Sequence, residues 1–287
     1  MTIPATNRQS TTIRAIRPAD APRLVGLMES AWRVAIRISP VEFHSRIRTL
    51  PGVLAEDPVG VRGFIQIEAA PPLAFLVALG VRDTWHLTPY LDLLLPAVEK
   101  LARRLQADRL VYIGGDEWLI QPLLDRGFTA HEWVTTLERP ADLPLPAVAA
   151  VARLRTAHRL DLSRLTHLDA LAFGELWHKA IGQLAEGLAQ AALFLLAEME
   201  GQIVGYIWCD IYRSHAHITR LAVHPAYQGR GIGRQLLHCV LSEAIAQGAA
   251  RITLNTQEHN LRAMTLYRRF GFTPTDMRMP LLVKPLG

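Results

Sequence analysis

The 287-residue sequence predicts a mixed α/β (α+β) fold of two similar domains, each a central mixed sheet flanked by helices. Three observations lead there. A proline-rich stretch lies near the midpoint, short motifs recur across it at a nearly constant offset, and the second half alternates strand-like runs with amphipathic helices. The length suits two domains, and half of the residues are apolar, enough for two cores.

The midpoint stretch carries Pro140, Pro144 and Pro146. Each proline removes a backbone donor and restricts the residue before it, so 143–150 reads as an extended linker. That places one domain at 1–142 and the other at 151–287. Asp20, Arg23 and Leu24 recur as Asp161, Arg164 and Leu165, and Gly127-Phe128-Thr129 recurs as Gly271-Phe272-Thr273. Their common order and similar offsets point to a tandem duplication, with a period far too long for a solenoid.

In the second half, Asp161 or Ser163 caps a helix over 163–172, and a further helical stretch fills 174–190. Residues 193–198 and 203–210 read as strands joined by a hairpin at Glu200-Gly201. A third strand covers 215–223. Ala216 and Ile218 set one alternation and Leu221 and Val223 the other. Either a β-bulge near Thr219-Arg220 or burial of both faces accounts for that break. Ile232, Leu236, Val240 and Ala244, with Leu237, Leu241 and Ile245 beside them, make the apolar face of a helix that Gly248 ends. Arg251–Leu254 is a short strand, Asn260 a helix N-cap, and Ala263, Leu266, Tyr267 and Phe270 a second stripe. A strand over 280–283 completes the sheet of this half.

Charge is uneven. Residues 1–145 balance, so the whole formal excess of +5 falls in the second half, where it suits an anionic small ligand. No basic patch interleaved with aromatics and no helix-turn-helix pattern accompanies it, which argues against a nucleic-acid partner. No run of roughly 18 uncharged apolar residues spans a membrane, and the polar first twenty residues lack a signal-peptide pattern. A cytoplasmic protein is expected. Cys209 and Cys239 sit in separate apolar runs and read as buried thiols, with no metal implied.

The chemistry lies in Gln228-Gly229-Arg230-Gly231-Ile232-Gly233-Arg234, a Q-x-x-G-x-G loop opening a helix. Glycines free of Cβ let successive N–H groups turn inward, and a helix N-terminus adds its dipole, so the loop reads as a diphosphate cradle. A Walker A loop needs Lys followed by Ser or Thr after its last glycine, and here Arg234-Gln235 follow Gly233. A dinucleotide loop would follow the first strand of a βαβ unit, with an acid about 20 residues on. Neither condition is met.

Leu221-Ala222-Val223-His224-Pro225, the glycine loop, and then Asn260, Ala263, Leu266-Tyr267 and Gly271-Phe272 together resemble the GNAT superfamily of N-acetyltransferases. The likeness is good over about 195–275. Ile16-Arg17-Pro18-Ala19-Asp20 and Leu123 to Phe128 resemble the opening and closing of the same fold in the first half. There the loop is missing: Asp83 to Tyr90 holds no glycine, Asp116 stands for Asn260 and Leu123 for Tyr267. The resemblance implies two GNAT-like domains, each with a mostly antiparallel sheet and a splayed strand pair, the first a degenerate copy.

It further implies acetyl transfer from acetyl-CoA to a small-molecule or peptide amine, by direct attack in a ternary complex in the second domain. Leu221, Ala222 and Val223 would pair with pantetheine. Gln228, Gly229, Arg230, Gly231, Ile232, Gly233 and Arg234 would hold the pyrophosphate, with Asn260 and Tyr267 completing the cofactor site. Tyr267 matches the tyrosine that protonates the departing thiolate. Many members keep a glutamate base on the bulged strand, where this chain offers His215, His217 and Thr219. His217 is the first candidate base, with Glu258 and Asp210 behind it. His224 packs the proline turn, and Tyr206, Trp177 and Trp208 serve the core or an acceptor pocket. The first domain would stabilise the fold, close the acceptor cleft or hold a homodimer. A catalytically silent CoA-binding regulatory or scaffold protein is the alternative.

Overall fold

The structure, a computed structural model, describes residues 11–38, 40–82 and 87–287. It divides into two compact units: residues 1–133 with 279–287, and residues 134–278.

The first unit opens with β1 (Thr12–Ala15), α1 (Ala21–Ser30), β2 (Arg33–Ile36) and α2 (Pro40–Arg46). β3 (Gly52–Asp57), β4 (Gly60–Ala70) and β5 (Leu73–Val81) form a meander, followed by α3 (Leu87–Arg104), β6 (Arg109–Ile113) and α4 (Glu117–Leu124). Then comes β7 (Thr129–Pro140), whose part from 134 on belongs to the second unit. Strands β1, β3, β4 and β5 pair antiparallel in that order and β5 pairs parallel with β6. Leu91, Leu94, Leu95 and Val98 of α3 are buried in one apolar cluster with strand residues such as Ile65 and Leu79. Leu24, Leu27, Phe43 and Phe64 are buried in another.

The second unit repeats this plan with β8 (Arg153–Thr156), α5 (Leu162–Phe173), α6 (Ile181–Gln190), β9 (Leu193–Met199), β10 (Gln202–Tyr212) and β11 (His215–Val223). α7 (Ile232–Ala246), β12 (Arg251–Gln257), α8 (Leu261–Arg269) and β13 (Thr273–Pro285) complete the chain. Strands β8, β9, β10 and β11 pair antiparallel in sequence, and β11 pairs parallel with β12. The apolar face of α7 read from the sequence is buried, Leu236, Leu237, Val240 and Leu241 among Ile207, Ala216 and Ile252. Glu200 and Gly201 both take positive φ, as the hairpin turn between β9 and β10 requires.

The last strands are exchanged. Residues 134–140 of β7 pair antiparallel with β12, so the first half supplies a strand to the sheet of the second unit. Leu281–Pro285 of β13 pair antiparallel with β6 in the first unit. The compact units therefore differ from the expected division into 1–142, 143–150 and 151–287, and the strand over 280–283 does not close the sheet of its own half. A single strand carries no marker of which of two equivalent edges it will join.

The 143–150 stretch is extended but packed onto the second unit. Leu145 and Val148 lie against its core, the Leu143 carbonyl accepts from Arg139 Nη2 at 2.7 Å, and Gln235 Oε1 accepts from Val151 and Ala152 N–H at 2.9 Å each. The helix expected over 174–190 covers only Ile181–Gln190. Gly174, at φ 68°, ends α5, and residues 174–180 form an irregular segment.

Candidate active site

The phase break on β11 is a bulge. Trp208 pairs with Arg220 and Cys209 with Ile218, which leaves Thr219 as the extra residue. The bulge is followed by a splay. Parallel pairing of β11 with β12 runs from His215/Arg251 to Ile218/Leu254 and does not continue along 219–223, while β12 stays paired with β7 through Gln257.

Just beyond β11 the chain turns through Pro225–Tyr227. His224 caps this turn, its Nδ1 accepting from Ala226 N–H at 3.2 Å and its ring set edge-on to Tyr227. Gln228 ties the loop down, donating from Nε2 to the Val223 carbonyl at 3.1 Å while Oε1 accepts from Arg262. Gly229 and Gly231 take φ of 83° and 89°, and Gly231 is the N-cap of α7. No N–H from Gly229 to Arg234 has a backbone acceptor; the ladder begins with Gln235 N–H on the Gly231 carbonyl. Six consecutive donors are thus left at a helix start, beside the exposed Arg230 and Arg234. A Cβ on Gly229 or Gly231 would meet nothing closer than 3.9 and 3.7 Å, so the loop needs glycine for its dihedrals and not for room.

Asn260 caps α8, its Oδ1 accepting from Ala263 N–H at 3.1 Å. Tyr267 is buried among the apolar residues under α7 and α8, edge-on to Phe272. Burial alone pushes its phenol up to about 12. It is a weaker acid than the sequence implied and keeps its proton throughout the physiological range.

His217 lies across from Asp210 on β10 and from Thr253 on β12. Its Nδ1 is 2.8 Å from Thr253 Oγ1, which is also 2.8 Å from His215 Nε2. Burial lowers the pKa of His217, and the neighbouring His215 adds to that, so the ring is neutral at pH 7. The other candidate bases are engaged. Asp210 accepts from Trp208 Nε1 at 2.9 Å and from Thr219 Oγ1 at 2.6 Å, and Glu258 holds Arg278 at 2.5 and 2.6 Å.

The same sheet face carries a polar cluster that sequence reasoning missed. Asp169, fully buried on α5, accepts from Arg220 Nε and Nη2 at 2.9 and 2.8 Å, from Tyr206 Oη at 2.5 Å and from Lys179 N–H at 2.5 Å. Arg220 also donates to the Trp177 carbonyl at 2.5 Å and stacks its guanidinium 3.5 Å from the Phe173 ring centroid. The residue after the bulge thereby fixes segment 174–180. Tyr206 and Trp208 both stack with Phe194, and Trp208 fills the space over Gly187 of α6. An aspartate in mid-helix gives no sequence signal of such a partner.

The first unit treats the matching strand pair differently. β5 pairs with β6 only from Leu73 to Phe75, but β2 then lines the freed edge of β5, Arg33 to Ile36 opposite Val81 to Ala78, and Arg37 N–H bonds the Val77 carbonyl at 2.8 Å. Asp116, in the place of Asn260, leaves its helix uncapped and accepts instead from Arg37 and from Tyr112 Oη, the latter at 2.6 Å. Leu123 is buried. Residues 83–86, within the segment that replaces the glycine loop, lie outside the described residues.

Elsewhere in the second unit, a cavity of about 320 Å³ is lined by Val148, Leu154, Gln235, His238, Cys239 and Glu243 among others, none of them a predicted site residue. Cys209 is buried and Cys239 half-buried, both free, and burial raises both thiols. Among the described residues no cluster of His, Cys, Asp or Glu is arranged to hold a metal ion, and no helix is long and apolar enough to cross a membrane.

Comparison with known proteins identifies the domain that holds this splayed parallel pair and glycine-opened helix. The profile of the Acetyltransferase (GNAT) family matches residues 162–272. Those residues form an acetyltransferase domain of GNAT type. A ribosomal protein bS18 alanine N-acetyltransferase of Haemophilus influenzae is 29% identical over 127 residues, covering 44% of this chain and 85% of the relative. Over the whole chain the fold is that of a GCN5-related N-acetyltransferase from Sphaerobacter thermophilus, with TM-score 0.67, 19% identity and 96% of each chain covered. A tandem GNAT protein from the clavulanic acid biosynthesis pathway matches with TM-score 0.66 and 16% identity, over 96% of this chain and 99% of that one.

Proposed function

We propose that the chain transfers the acetyl group of acetyl-CoA to an amine by direct attack in a ternary complex, with the reaction confined to the second unit. The observation that carries this reading is the run of six unbonded amides, 229–234, at the start of α7, next to the point where β11 leaves β12. Linked phosphates suit such a helix start, and Arg230 and Arg234 add charge-assisted contacts. The freed edge of β11 at Leu221, Ala222 and Val223 suits the two amides of pantetheine, though the Gln228 bond already uses one lone pair of the Val223 carbonyl. When bound, acetyl-CoA supplies an acetyl group activated as a thioester.

The chain's residues supply the proton handling. His217, neutral and with Nδ1 directed at Thr253, holds Nε2 ready to take the proton of an incoming ammonium group. Tyr267 keeps a proton on Oη for the thiolate leaving group. Asp210, held by Trp208 and Thr219, contributes negative charge opposite His217. In the first unit β2 pairs along β5 where the cofactor edge would be, which favours a single site per chain. The named relative is an alanine N-acetyltransferase of ribosomal protein bS18, so a peptide that begins with alanine is the first acceptor to try.

The test is titration of the full chain with acetyl-CoA, followed by assay of thiol release with pooled amines and the alanine peptide. One equivalent bound, turnover with an amine, and loss of binding in Gly231→Val are expected. Binding without turnover by any amine would favour the silent scaffold reading. Undiminished binding in Gly231→Val would remove the loop from the site.

A further inference from the structure

We propose that His217, Thr253 and His215 form a proton relay that carries the acceptor's proton from the reaction centre to solvent. The inference rests on the reading of His217 as the base, and adds two residues to it.

The geometry is a hydroxyl bridging two imidazoles. Thr253 Oγ1 stands 2.8 Å from His217 Nδ1 and 2.8 Å from His215 Nε2. The parallel register sets this up: Thr253 lies opposite His217, and His215 is two residues before it on the same face of β11. Thr253 is buried, and His215 and His217 are half-buried.

A hydroxyl has one proton to give, so it donates to one ring and accepts from the other. If Thr253 donates to His215 Nε2, it accepts from His217 Nδ1–H, and His217 Nε2 is left with its lone pair. A proton arriving at His217 Nε2 then displaces the one on Nδ1 to Thr253 Oγ1. The Thr253 hydroxyl proton passes to His215 Nε2, and the Nδ1 proton of His215 leaves to water. Thr253 Oγ1 gains one proton and loses one, while each ring gains a proton on Nε2 and loses one from Nδ1, so both end neutral with the proton on Nε2. After product release, uptake of a proton from water at His215 Nδ1, return transfer through Thr253 to His217 Nδ1 and loss of the His217 Nε2 proton to water restore the start.

The surroundings favour neutral rings able to pass protons. Burial depresses His215, with Arg251 beside it adding to the effect, and burial depresses His217, with His215 adding. On the facing strands, Asp210 of β10 opposes His217 and is held by Trp208 and Thr219, while Arg251 of β12 is 3.5 Å from Glu138 of β7. A lone threonine bonded to a single ring would only fix its orientation; the second ring makes the path continuous.

The test uses ¹⁵N-labelled full-length protein and three variants, Thr253→Val, Thr253→Ser and His215→Phe. Long-range ¹H–¹⁵N spectra of the resting protein should show His217 protonated on Nδ1. Thr253→Val should lower kcat about 10- to 100-fold, most strongly at low pH where the amine arrives charged, with acetyl-CoA affinity within about twofold. His215→Phe should show a similar loss, and Thr253→Ser should recover most of the rate. A purely structural role for Thr253 would leave the pH profile unmoved. A resting His217 protonated on Nε2, or wild-type kcat and pH profile in Thr253→Val, overturns the relay while the transferase reading stands. Failure of the wild type to release thiol with any amine overturns that reading and the relay with it.

Discussion

Arg14 grips both oxygens of Asp20 at 2.7 Å, and Arg155 grips those of Asp161 at 2.7 and 2.8 Å. In each case a second arginine, Arg23 or Arg164, and a main-chain N–H, of Arg17 or His158, complete the carboxylate's contacts. The repeated Asp and Arg seen in the sequence are thus the visible part of a repeated ion cluster, which Glu56 and Glu198 join, and the repeated Leu is buried in the apolar core beside it. Arg155 holds the buried Asp161 carboxyl at about 2, below its ordinary 3.8. The depressed value means that protonation is harder in the folded state. The stabilisation, on the order of 2 kcal/mol, is complete above the unfolded value and disappears as pH falls toward 2. Asp161→Asn should therefore lower the urea midpoint at pH 7, and the gap from wild type should close between pH 4 and pH 2. Tyr267 makes a second prediction at this scale. Its phenol is buried without a polar partner, so Tyr267→Phe should fold normally and bind acetyl-CoA within about twofold, while kcat drops about 100-fold. Stopped-flow thiol release would measure it; unchanged kcat would leave Tyr267 as core.

At the scale of elements, β11 organises the site, because one extra residue redirects everything after it. The bulge at Thr219 turns Arg220 toward α5, where it meets Asp169 and closes segment 174–180 against the sheet. Arg220→Met would leave Asp169 buried without its cation, a loss of about 3–5 kcal/mol. Urea unfolding should show that loss, and the acceptor KM should rise with little change in acetyl-CoA affinity, since the glycine loop is anchored separately through Gln228. Much of this element level was legible. The alternation shift on 215–223 gave the bulge as one of two readings, Glu200-Gly201 gave the hairpin, and the glycine loop opening a helix is present, with Gly229 and Gly231 at positive φ. What escaped depends on contacts distant in sequence. Asp169 and Arg220 are 51 residues apart, Thr253 is 36 from His217, and no local pattern pairs them. The helix expected through 174–180 failed for a local reason, since Gly174 at positive φ breaks it.

Across the whole molecule, the duplication was readable but the exchange of final strands was not, because either copy of β6 or β12 offers an equivalent edge. Leu281, Leu282 and Leu286 are buried in the first unit although they lie at the end of the chain. Ending the chain after Arg278 would strip β6 of its β13 neighbour and remove those three leucines from the core of the first unit. At about 1.5–3 kcal/mol each, this approaches the net stability of a domain. Limited proteolysis should then cut residues 11–133 first, although the deletion lies more than a hundred residues away; even protection of both units would contradict the exchange. Severing the chain between residues 142 and 143 should leave neither piece able to fold, for the same reason. The strand Arg33–Ile36 has one last consequence. By covering the β5 edge with the chain's own backbone, it denies that edge to stray strands from neighbouring molecules. Among the described residues the equivalent stretch of β11 has no such guard, so an extended ligand laid along it would shield the second unit from the same strand-to-strand association.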